Sequence, residues 1–464
     1  MKKGFTLIEL IAIIVILAII ALISTPVISD IIYKTRVESF KNTANGLISS
    51  AGLEHSNDLL MSSEEKLIFT YTNGVETSNI VGKKLEYTGK RPDNGVVVIN
   101  EDGDIAIAIH NGTLCAIKDF DGNEVIVSKV SIDECIPQHL KSPTSFLTIA
   151  TSNSDKASTA DYVVPNGSLD SQTIINQAII DANANNKGLL LYDGTYTINN
   201  SIVLLSNTYL QGEGSNTVIK LQNNYPTNII NLIENNNPIS NVTISNLVID
   251  GNKDYQDSSY HVVNIKLTEV TDFYFNKIEV KGSLIEGIYL YTCSNGIIDN
   301  INSYENGYFR EDASGIQIDN SNSIKITNSI FNNNGFHGII LSSSYNNEIL
   351  NTTVQGNGWD GVRVQWESKN NKFDSLKSEN NFRGIYFLTA SEQNNVTNSL
   401  FDKNYNGICF NSSWENIINH NSIGNSTESG VLTVTGSDYN YFRNNTFINN
   451  TANHQLFYDD QMMP

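Results

Sequence analysis

Three residue types suited to acid–base chemistry recur at one spacing. His337, Asp360 and Arg383 are 23 residues apart (360 − 337 and 383 − 360), and each directly precedes a glycine. On consecutive repeats of a stacked fold they would be neighbours at roughly 5 Å. A carboxylate beside an imidazole raises the imidazole pKa and orients the ring, which suits a general base, and an arginine can neutralise an acidic substrate. The plainer interpretation, which we favour, is a polar ladder whose members satisfy one another on a solvated edge.

The glycines that follow these residues belong to a longer repeat. They recur every 23 residues, at Gly315, Gly338, Gly361, Gly384, Gly407 and Gly430. The positions one and three places after each glycine are apolar: Ile316/Ile318, Ile339/Leu341, Val362/Val364, Ile385/Phe387 and Ile408/Phe410. This alternation predicts strands with one buried face, and about 23 residues hold three short strands but not a helix and a return strand. The sequence therefore predicts a mainly β solenoid, with Asn334, Asn357 and Asn380 stacked as an amide ladder.

This repeat resembles the right-handed parallel β-helix superfamily that contains pectate lyases, polygalacturonases and mannuronan epimerases. The resemblance runs from about Ala160 to the C-terminus and implies a carbohydrate ligand. The catalytic signatures of these families are missing: there is no Asp-Pro-His-Glu, no Arg-x-Pro-x-x-Arg and no paired Asp-Asp. Hydrolysis also needs two carboxyls roughly 5–9.5 Å apart, whereas Glu286 and Asp360 would be on the order of 14 Å apart. A lyase, an epimerase or simple binding is therefore favoured over a glycoside hydrolase.

The residues expected on the outer surface of the repeat are candidates for carbohydrate contact. They comprise outward strand residues and residues of a loop at Tyr304–Asp312, and they are Gln317, Arg363, Trp366, Tyr386, Tyr308 and Asp312. A second irregular loop, Gly251–His261, is expected nearby, because loops leaving a stacked array tend to carry binding surfaces. A row of aromatic residues, Phe336, Trp359, Phe382 and Tyr405, is expected to be an internal corner stack, the alternative being a platform for sugars.

The opening residues carry a different pattern. "MKKGFTLIEL" is followed by apolar residues up to Ile23, and Glu9 is the acid within that run. This resembles a type IV prepilin leader, which implies cleavage by a prepilin peptidase between Gly4 and Phe5, methylation of Phe5, and membrane insertion of Phe5–Ile23. The resemblance also implies that Glu9 pairs with another pilin subunit during assembly, since an acid is costly in lipid. An ordinary transmembrane anchor is the alternative, and it leaves Glu9 and the Gly4–Phe5 junction unexplained.

The boundaries follow from these two resemblances. We expect a leader at 1–4, a membrane-embedded and amphipathic pilin helix at 5–57, a small pilin-like β-sheet domain at 58–136, a linker at 137–159 and the β-helix at 160–464. The pilin resemblance implies a disulfide between Cys115 and Cys135, whereas Cys293 and Cys409 are expected to be unpaired. A helix beginning at Asp170 or Ser171 is expected to cover the open end of the first coil.

Charge restricts the range of partners. The formal net charge is −20 and the pI is about 4.7, which argues against nucleic acid, because Lys and Arg supply affinity for phosphates. No zinc pattern or other cofactor is predicted, and a calcium loop at Glu101–Asp104 is less favoured than a solvated turn. We therefore expect a minor pilin at the cell membrane and then on the surface or pilus, with a carbohydrate-binding β-helix. The alternative is a surface-tethered lyase or epimerase.

Overall fold

The computed structural model describes residues 7–59, 67–80, 82–100, 103–120, 122–143, 145–308, 313–434 and 436–456. The chain divides into two compact units, Met1–Lys141 and Ser142–Pro464. The predicted processing site, Gly4 and Phe5, and the loop residue Asp312 lie outside the described residues, and so does the side chain of Glu9.

The first unit is a long helix packed on an antiparallel sheet. Helix α1 spans Leu7–Leu59, and Phe40, Ala44, Leu47 and Ala51 form its buried stripe at helical spacing. Among the described residues, six strands form the sheet in the order β2-β1-β3-β4-β5-β6. Their bounds are Leu67–Thr72 (β1), Val75–Ser78 (β2), Asn94–Ile99 (β3), Ile105–His110 (β4), Cys115–Lys118 (β5) and Ile126–Ser128 (β6).

A disulfide closes the C-terminal part of this sheet, as predicted. It joins Cys115, the first residue of β5, to Cys135 at the end of the short helix α2 (Ile132–Cys135). A 3₁₀ turn at Gln138–Leu140 follows. The disulfide therefore ties the segment after β6 back onto the sheet.

The part of α1 that precedes its buried stripe is largely exposed where its side chains are described. Ile28, Ile31, Ile32 and Tyr33 are each more than 40% exposed, at 54%, 57%, 47% and 44%. Within the described part of the chain, no helix carries a stretch that is both long and apolar enough to cross a membrane.

The second unit is a parallel β-helix, as predicted. In the described residues, eleven strands form one sheet, which we call the glycine sheet. Its strands are Ile202–Val203, Ile229–Glu234, His261–Thr268, Glu286–Tyr291, Ser314–Asp319, His337–Ser342, Asp360–Gln365, Arg383–Leu388, Asn406–Asn411, Ser429–Val434 and Ala452–Leu456. From Gly315 to Gly430, each repeat contributes one strand to this sheet and two strands to another.

That other sheet, which we call the companion sheet, contains 22 strands within the same described ranges. They are Phe146–Thr151, Tyr162–Val164, Gly188–Leu191, Gly194–Ile198, Tyr209–Gly212, Thr217–Leu221, Ile239–Asp250, Val270–Lys281, Ser294–Asp299, Asn302–Tyr304, Asn322–Thr327, Ile330–Asn332, Glu348–Leu350, Thr353–Gln355, Lys372–Asp374, Lys377–Glu379, Asn395–Thr397, Leu400–Asp402, Ile417–Asn419, Ser422–Gly424, Tyr441–Arg443 and Thr446–Ile448. The first of these lies inside the stretch expected to be a linker. It is a strand because its backbone pairs in parallel with Gly188–Leu191, so the second unit begins before Ala160.

The interior is built from the predicted columns. Ile316, Ile339, Val362, Ile385 and Ile408 are register partners on successive glycine-sheet strands and are all 0% exposed. Helix α3 (Ser171–Ala184) packs Ile175, Ala178 and Ile179 against the same core, at the end where the coils begin. Asp170 occupies its N-cap position, and the Asp170 carboxylate accepts a hydrogen bond from Ser168 Oγ at 2.5 Å.

An amide ladder lies at the bend before each glycine. Asn334, Asn357 and Asn381 each donate side-chain Nδ2 to the Oδ1 of the next asparagine along the axis, at 3.0, 3.1 and 3.3 Å, and Asn404 is the last acceptor. The prediction of Asn380 was wrong: its neighbour Asn381 holds the ladder position, because one extra residue precedes it in that coil. The glycines are required here, since a Cβ on Gly361 would sit 2.6 Å from the carbonyl oxygen of Gly384 and 2.8 Å from Asn381 Nδ2.

Candidate functional site

The bend at each glycine places two columns of side chains on the outer face of the glycine sheet. The register pairs Ser314 with His337 and Ile316 with Ile339, and skips the glycine between them. The residue before the glycine and the residue two places after it therefore lie on the same face. Contacts between His337 and Arg363, and between Arg383 and Tyr386, demonstrate this arrangement.

The three residues at 23-residue spacing are in direct contact. Asp360 Oδ2 lies 3.3 Å from His337 Nδ1, and Asp360 Oδ1 accepts a hydrogen bond from Arg383 Nε at 2.5 Å. A second bond from Arg383 Nη2 to Asp360 Oδ2, at 3.3 Å, completes a two-point pairing. The side chains of His337 and Asp360 are both 0% exposed, and that of Arg383 is 14% exposed.

Two further polar side chains extend this group at the His337 end. Arg363 Nη1 lies 3.2 Å from His337 Nε2, and Arg363 Nε donates to Gln365 Oε1 at 2.7 Å. Arg363 can only donate, so Nε2 of His337 is its acceptor, whereas Nδ1 of His337 faces both the Asp360 carboxylate at 3.3 Å and the Asp360 backbone N–H at 3.4 Å. Both ring nitrogens of His337 are therefore occupied by neighbouring protein groups.

At the opposite end, an aromatic side chain continues the chain of contacts. The guanidinium carbon of Arg383 lies 3.8 Å from the centre of the Tyr386 ring, and Tyr386 Oη accepts from Asn411 Nδ2 at 3.1 Å. We call the connected set the central network; its members are Gln365, Arg363, His337, Asp360, Arg383, Tyr386 and Asn411.

The electrostatics of the central network differ from those of the whole chain. Burial lowers the pKa of His337 below its ordinary value, and this outweighs the raising effect of the Asp360 carboxylate. His337 is therefore neutral at pH 7, so Arg363, Arg383 and Asp360 together carry a net charge of +1. The chain as a whole carries −20.

This geometry constrains the chemistry that His337 can perform. A general base must come within hydrogen-bond reach of the proton it removes. The ring of His337 is fully buried, and its acceptor nitrogen is covered by Arg363. Proton abstraction would require Arg363 to move, whereas the partly exposed guanidinium groups can bind a ligand where they stand.

The remaining predicted contact residues are distributed around the central network. Gln317 lies on the outer face, in register with Ile340, which precedes Arg363 in the same column. Trp366 directly follows the Asp360–Gln365 strand and is 56% exposed. Tyr308 is partly buried and packs against the core, so its ring is not a free contact surface.

The two irregular loops contact each other, in agreement with the predicted proximity. Tyr308 Oη donates to the carbonyl of Lys253 at 3.4 Å, and Lys253 Nζ lies 5.7 Å from the Tyr308 ring centre. Lys253 belongs to the Gly251–His261 insertion. The described part of the Tyr304–Asp312 loop therefore packs against the Gly251–His261 insertion through Tyr308 and Lys253.

The row of aromatic residues is a continuous stack that runs from a buried end at Phe336, which is 7% exposed, to an exposed end at Tyr405, so the expected internal position applies only to part of it. Phe336, Trp359, Phe382 and Tyr405 follow one another with ring centres 5.4, 4.3 and 4.8 Å apart and interplanar angles of 3°, 23° and 6°. Exposure reaches 41% at Tyr405. Because the ring faces cover one another, the row presents mainly edges, and the alternative of a sugar platform along its length is not favoured.

The turn beside the central network has a feature that the sequence did not predict. Trp366 and Glu367 both have positive φ (55° and 59°), and so do Thr389 and Ala390 in the next coil (53° and 61°). The flanking coils turn with a single such residue, Ser343 or Ser412. Thus the turn has one more residue in the two coils that carry Arg363 and Arg383. Trp366 consequently adopts a backbone conformation that is unfavourable for a bulky residue.

Comparisons with known proteins identify both parts of the chain at the level of fold or motif. Residues 286–447 match the family model described as right handed beta helix region, and residues 1–25 match the prokaryotic N-terminal methylation motif. The right-handed β-helix and the prepilin-type start are therefore both confirmed. Comparison with curated protein sequences returns no match.

Similar solved structures include the A-modules of the mannuronan C-5 epimerases AlgE6 and AlgE4 from Azotobacter vinelandii. They share 18% and 19% identity with TM-scores of 0.55 and 0.56, and each alignment covers 64% of this chain and 96% of that chain. The Dettilon tailspike protein (gp208) aligns with 15% identity and a TM-score of 0.50, over 61% of this chain and 66% of that chain. At these identities the likeness shows the fold alone.

Proposed function

We propose that this protein is a type IV pilin-like surface protein whose β-helix binds carbohydrate on the outer face of the glycine sheet. The observation that carries the proposal is the central network with Trp366 beside it. Arg363, Arg383 and Tyr386 are held in fixed positions by mutual contacts, so a ligand would meet pre-organised donors and an exposed indole. The local charge of +1 favours an acidic sugar, although the chain as a whole would repel one.

The N-terminus supports surface display. A methylation motif implies processing by a prepilin peptidase and assembly into a pilus. We infer cleavage between Gly4 and Phe5, membrane insertion of Phe5–Ile23, and pairing of Glu9 with a neighbouring subunit. The exposed apolar residues Ile28 and Ile31 on α1 supply a surface that other pilin subunits could cover.

Mass spectrometry of the surface protein tests the processing step. The mature chain should begin at methylated Phe5, and Glu9→Ala should abolish incorporation into a filament without unfolding the exterior units. A mature terminus beyond Ile23 would contradict the proposal.

A glycan array probed with the full chain tests carbohydrate binding. Arg363→Ala and Trp366→Ala should each weaken binding about tenfold, the equivalent of one lost charge-assisted or stacking contact. The matched controls are Arg443→Ala and Tyr439→Ala, which remove an exposed arginine and a 59% exposed aromatic away from the central network. Binding that survives both site substitutions unchanged would place the ligand elsewhere.

The second candidate function is a lyase or epimerase, and the His337–Asp360 contact of 3.3 Å favours it. A neutral imidazole oriented by a carboxylate is the correct form of a general base. In that case His337→Ala should remove turnover of a uronate polymer, followed by ultraviolet absorbance for a lyase, and leave affinity largely intact. Because His337 is covered by Arg363, binding without turnover is the better-supported outcome.

A further inference from the structure

A polar cavity lies on the glycine sheet, well away from the central network. It has a volume of about 320 Å³ and is lined by Asn231, Glu234, Asn235, Asn236, Asn237, Pro238, Lys266, Thr268 and Glu269. In the column of outward residues, Lys266 is followed by Tyr289, Gln317, Ile340 and Arg363 on successive coils. Four coils at roughly 4.8 Å each separate it from Arg363 by about 19 Å.

The cavity exists because one strand of the glycine sheet ends early. The strand Ile229–Glu234 stops where its neighbour continues to Thr268. The backbone register of the two strands ends at the pair Glu234 and Lys266, and Asn235 is the next residue. Pro238, which has no N–H to donate, follows in the turn.

The side chain of Asn235 takes the place of the missing backbone pairing. Its Oδ1 accepts from the Thr268 amide at 2.9 Å, and its Nδ2 donates to the Thr268 carbonyl at 2.7 Å and to the Asn237 carbonyl at 2.7 Å. These bonds satisfy the backbone N–H and carbonyl of Thr268 with a side chain in place of a neighbouring strand. The main chain turns away from the sheet through Asn236 and Asn237. The cavity is the space that this turn leaves unfilled.

The lining combines donors and acceptors in fixed positions. Glu234 Oε2 accepts from Asn231 Nδ2 at 2.6 Å, and Lys266 Nζ lies 5.7 Å from the Tyr289 ring centre. Tyr291, the register partner of the lining residue Thr268 on the next coil, is 38% exposed. Hydroxyl groups both donate and accept, so a polyhydroxylated ligand matches this lining, and an exposed tyrosine can pack against the C–H face of a sugar ring.

The charges of the lining select between ligand classes. The carboxylates of Glu234 and Glu269 and the ammonium group of Lys266 give the lining a net charge of −1, which disfavours an acidic sugar. The ammonium group of Lys266 disfavours a divalent cation, and within the described ranges no group of three or more His, Cys, Asp or Glu side chains is arranged to hold a metal. The volume is at the lower end of the range for ligand pockets, which suits a single sugar residue.

We infer that this cavity is a second carbohydrate site, specific for one neutral sugar residue, and that it is separate from the central network. The two sites differ in local charge, −1 here and +1 there. The site does not depend on the central network, because it shares no residue with it.

Isothermal titration of the purified full chain tests this inference. The probes are the methyl glycosides of glucose, galactose, mannose and N-acetylglucosamine, with methyl glucuronide as the acidic counterpart and calcium chloride as the cation. At least one neutral glycoside should bind saturably, with a dissociation constant of about 1 mM or lower, whereas glucuronide and calcium should not bind at this cavity.

The double variant Glu234→Gln, Lys266→Met removes the two charges while preserving shape, and should weaken neutral-sugar binding at least about tenfold. The chain offers a matched control. Glu348 and Lys372 are also register partners on adjacent strands, but in the companion sheet, and Glu348→Gln with Lys372→Met should leave binding unchanged. Thermal melts of both double variants verify that each remains folded.

Three results would overturn the inference: absence of binding by every neutral glycoside, equal binding in the wild-type chain and the Glu234/Lys266 double variant, or binding of glucuronide or calcium that the double variant abolishes. Arg363→Ala separates this inference from the proposed function. It should weaken binding of an acidic glycan and leave neutral-sugar binding unchanged, so either site can fail while the other stands.

Discussion

The two faces of the glycine-sheet strands follow opposite rules. On the inner face, each coil presents Ile or Val one place after the glycine, and these residues meet similar neighbours above and below. On the outer face, the position before the glycine changes at every coil from Glu286 to Asn406, through serine, histidine, aspartate and arginine. Repeating contacts are sufficient to stabilise a repeating fold. The outer contacts of the central network, from His337 to Asn411, do not repeat, and they therefore mark the part of the surface that is specific to individual coils.

Burying a charge on the inner face should have the largest effect on stability. Val362→Asp places a carboxylate among apolar side chains at a 0% exposed position, and it should lower the free energy of unfolding by about 5 kcal/mol. Ile330→Asp is the matched control, because Ile330 is 43% exposed on the companion sheet and the same kind of change should be nearly neutral. Denaturant titration of both variants measures the difference. Equal shifts would contradict the assignment of Val362 to the inner face, and a larger loss for Ile330→Asp would mean that the two faces have been interchanged.

On the outer face, breaking the buried ion pair should have the next largest effect. Asp360→Ala leaves the Arg383 guanidinium without its carboxylate and should cost about 3 kcal/mol. Removing both charges with Asp360→Ala and Arg383→Met should cost less than the sum of the single changes, because neither charge is then buried alone. Additive costs in this double-mutant cycle would show that the two side chains contribute independently.

The inner face could be predicted from the sequence because its period is the period of the fold. The outer contacts could be predicted only in part. The 23-residue spacing predicted that His337, Asp360 and Arg383 lie together. The bend at each glycine brings Arg363 and Tyr386 into contact with them, and a pattern of alternating residues does not predict this bend. The extra residue at Trp366–Glu367 was also hidden, because it is compensated before Gly384 and the glycine spacing stays at 23. The same compensation accounts for the wrong choice of Asn380.

Acidification should destabilise both faces of the glycine sheet, because each carries a histidine whose pKa is lowered by burial: His337 on the outer face, and His454, the register partner of the inner-column residue Val431. Burial holds the pKa of His337 below its ordinary value of 6.5 and lowers the pKa of His454 to about 4. The unfolded chain therefore binds more protons than the folded chain below about pH 6.5, and stability should fall as the pH decreases from 6.5 towards 4. His337→Gln cannot protonate, so its melting temperature should decline less steeply over this range. Parallel declines for the variant and the wild-type chain would assign the acid sensitivity to other groups.

The smallest expected change in stability bears most directly on function. Trp366 has a φ of 55°, a conformation that is unfavourable for a bulky residue and tolerated by asparagine, and Asn320 occupies the equivalent position after Gly315. Trp366→Asn should therefore raise the free energy of unfolding by about 0.5 kcal/mol, since the exposed indole contributes little packing to offset the backbone cost. Ser343→Asn, at the equivalent turn after Gly338, already starts from a small polar residue and should gain less. If glycan binding falls in the Trp366 variant while stability rises, the indole is retained at that turn for its ligand. A loss of stability would instead show that Trp366 packs against the fold, and the proposed contact surface would have to exclude it.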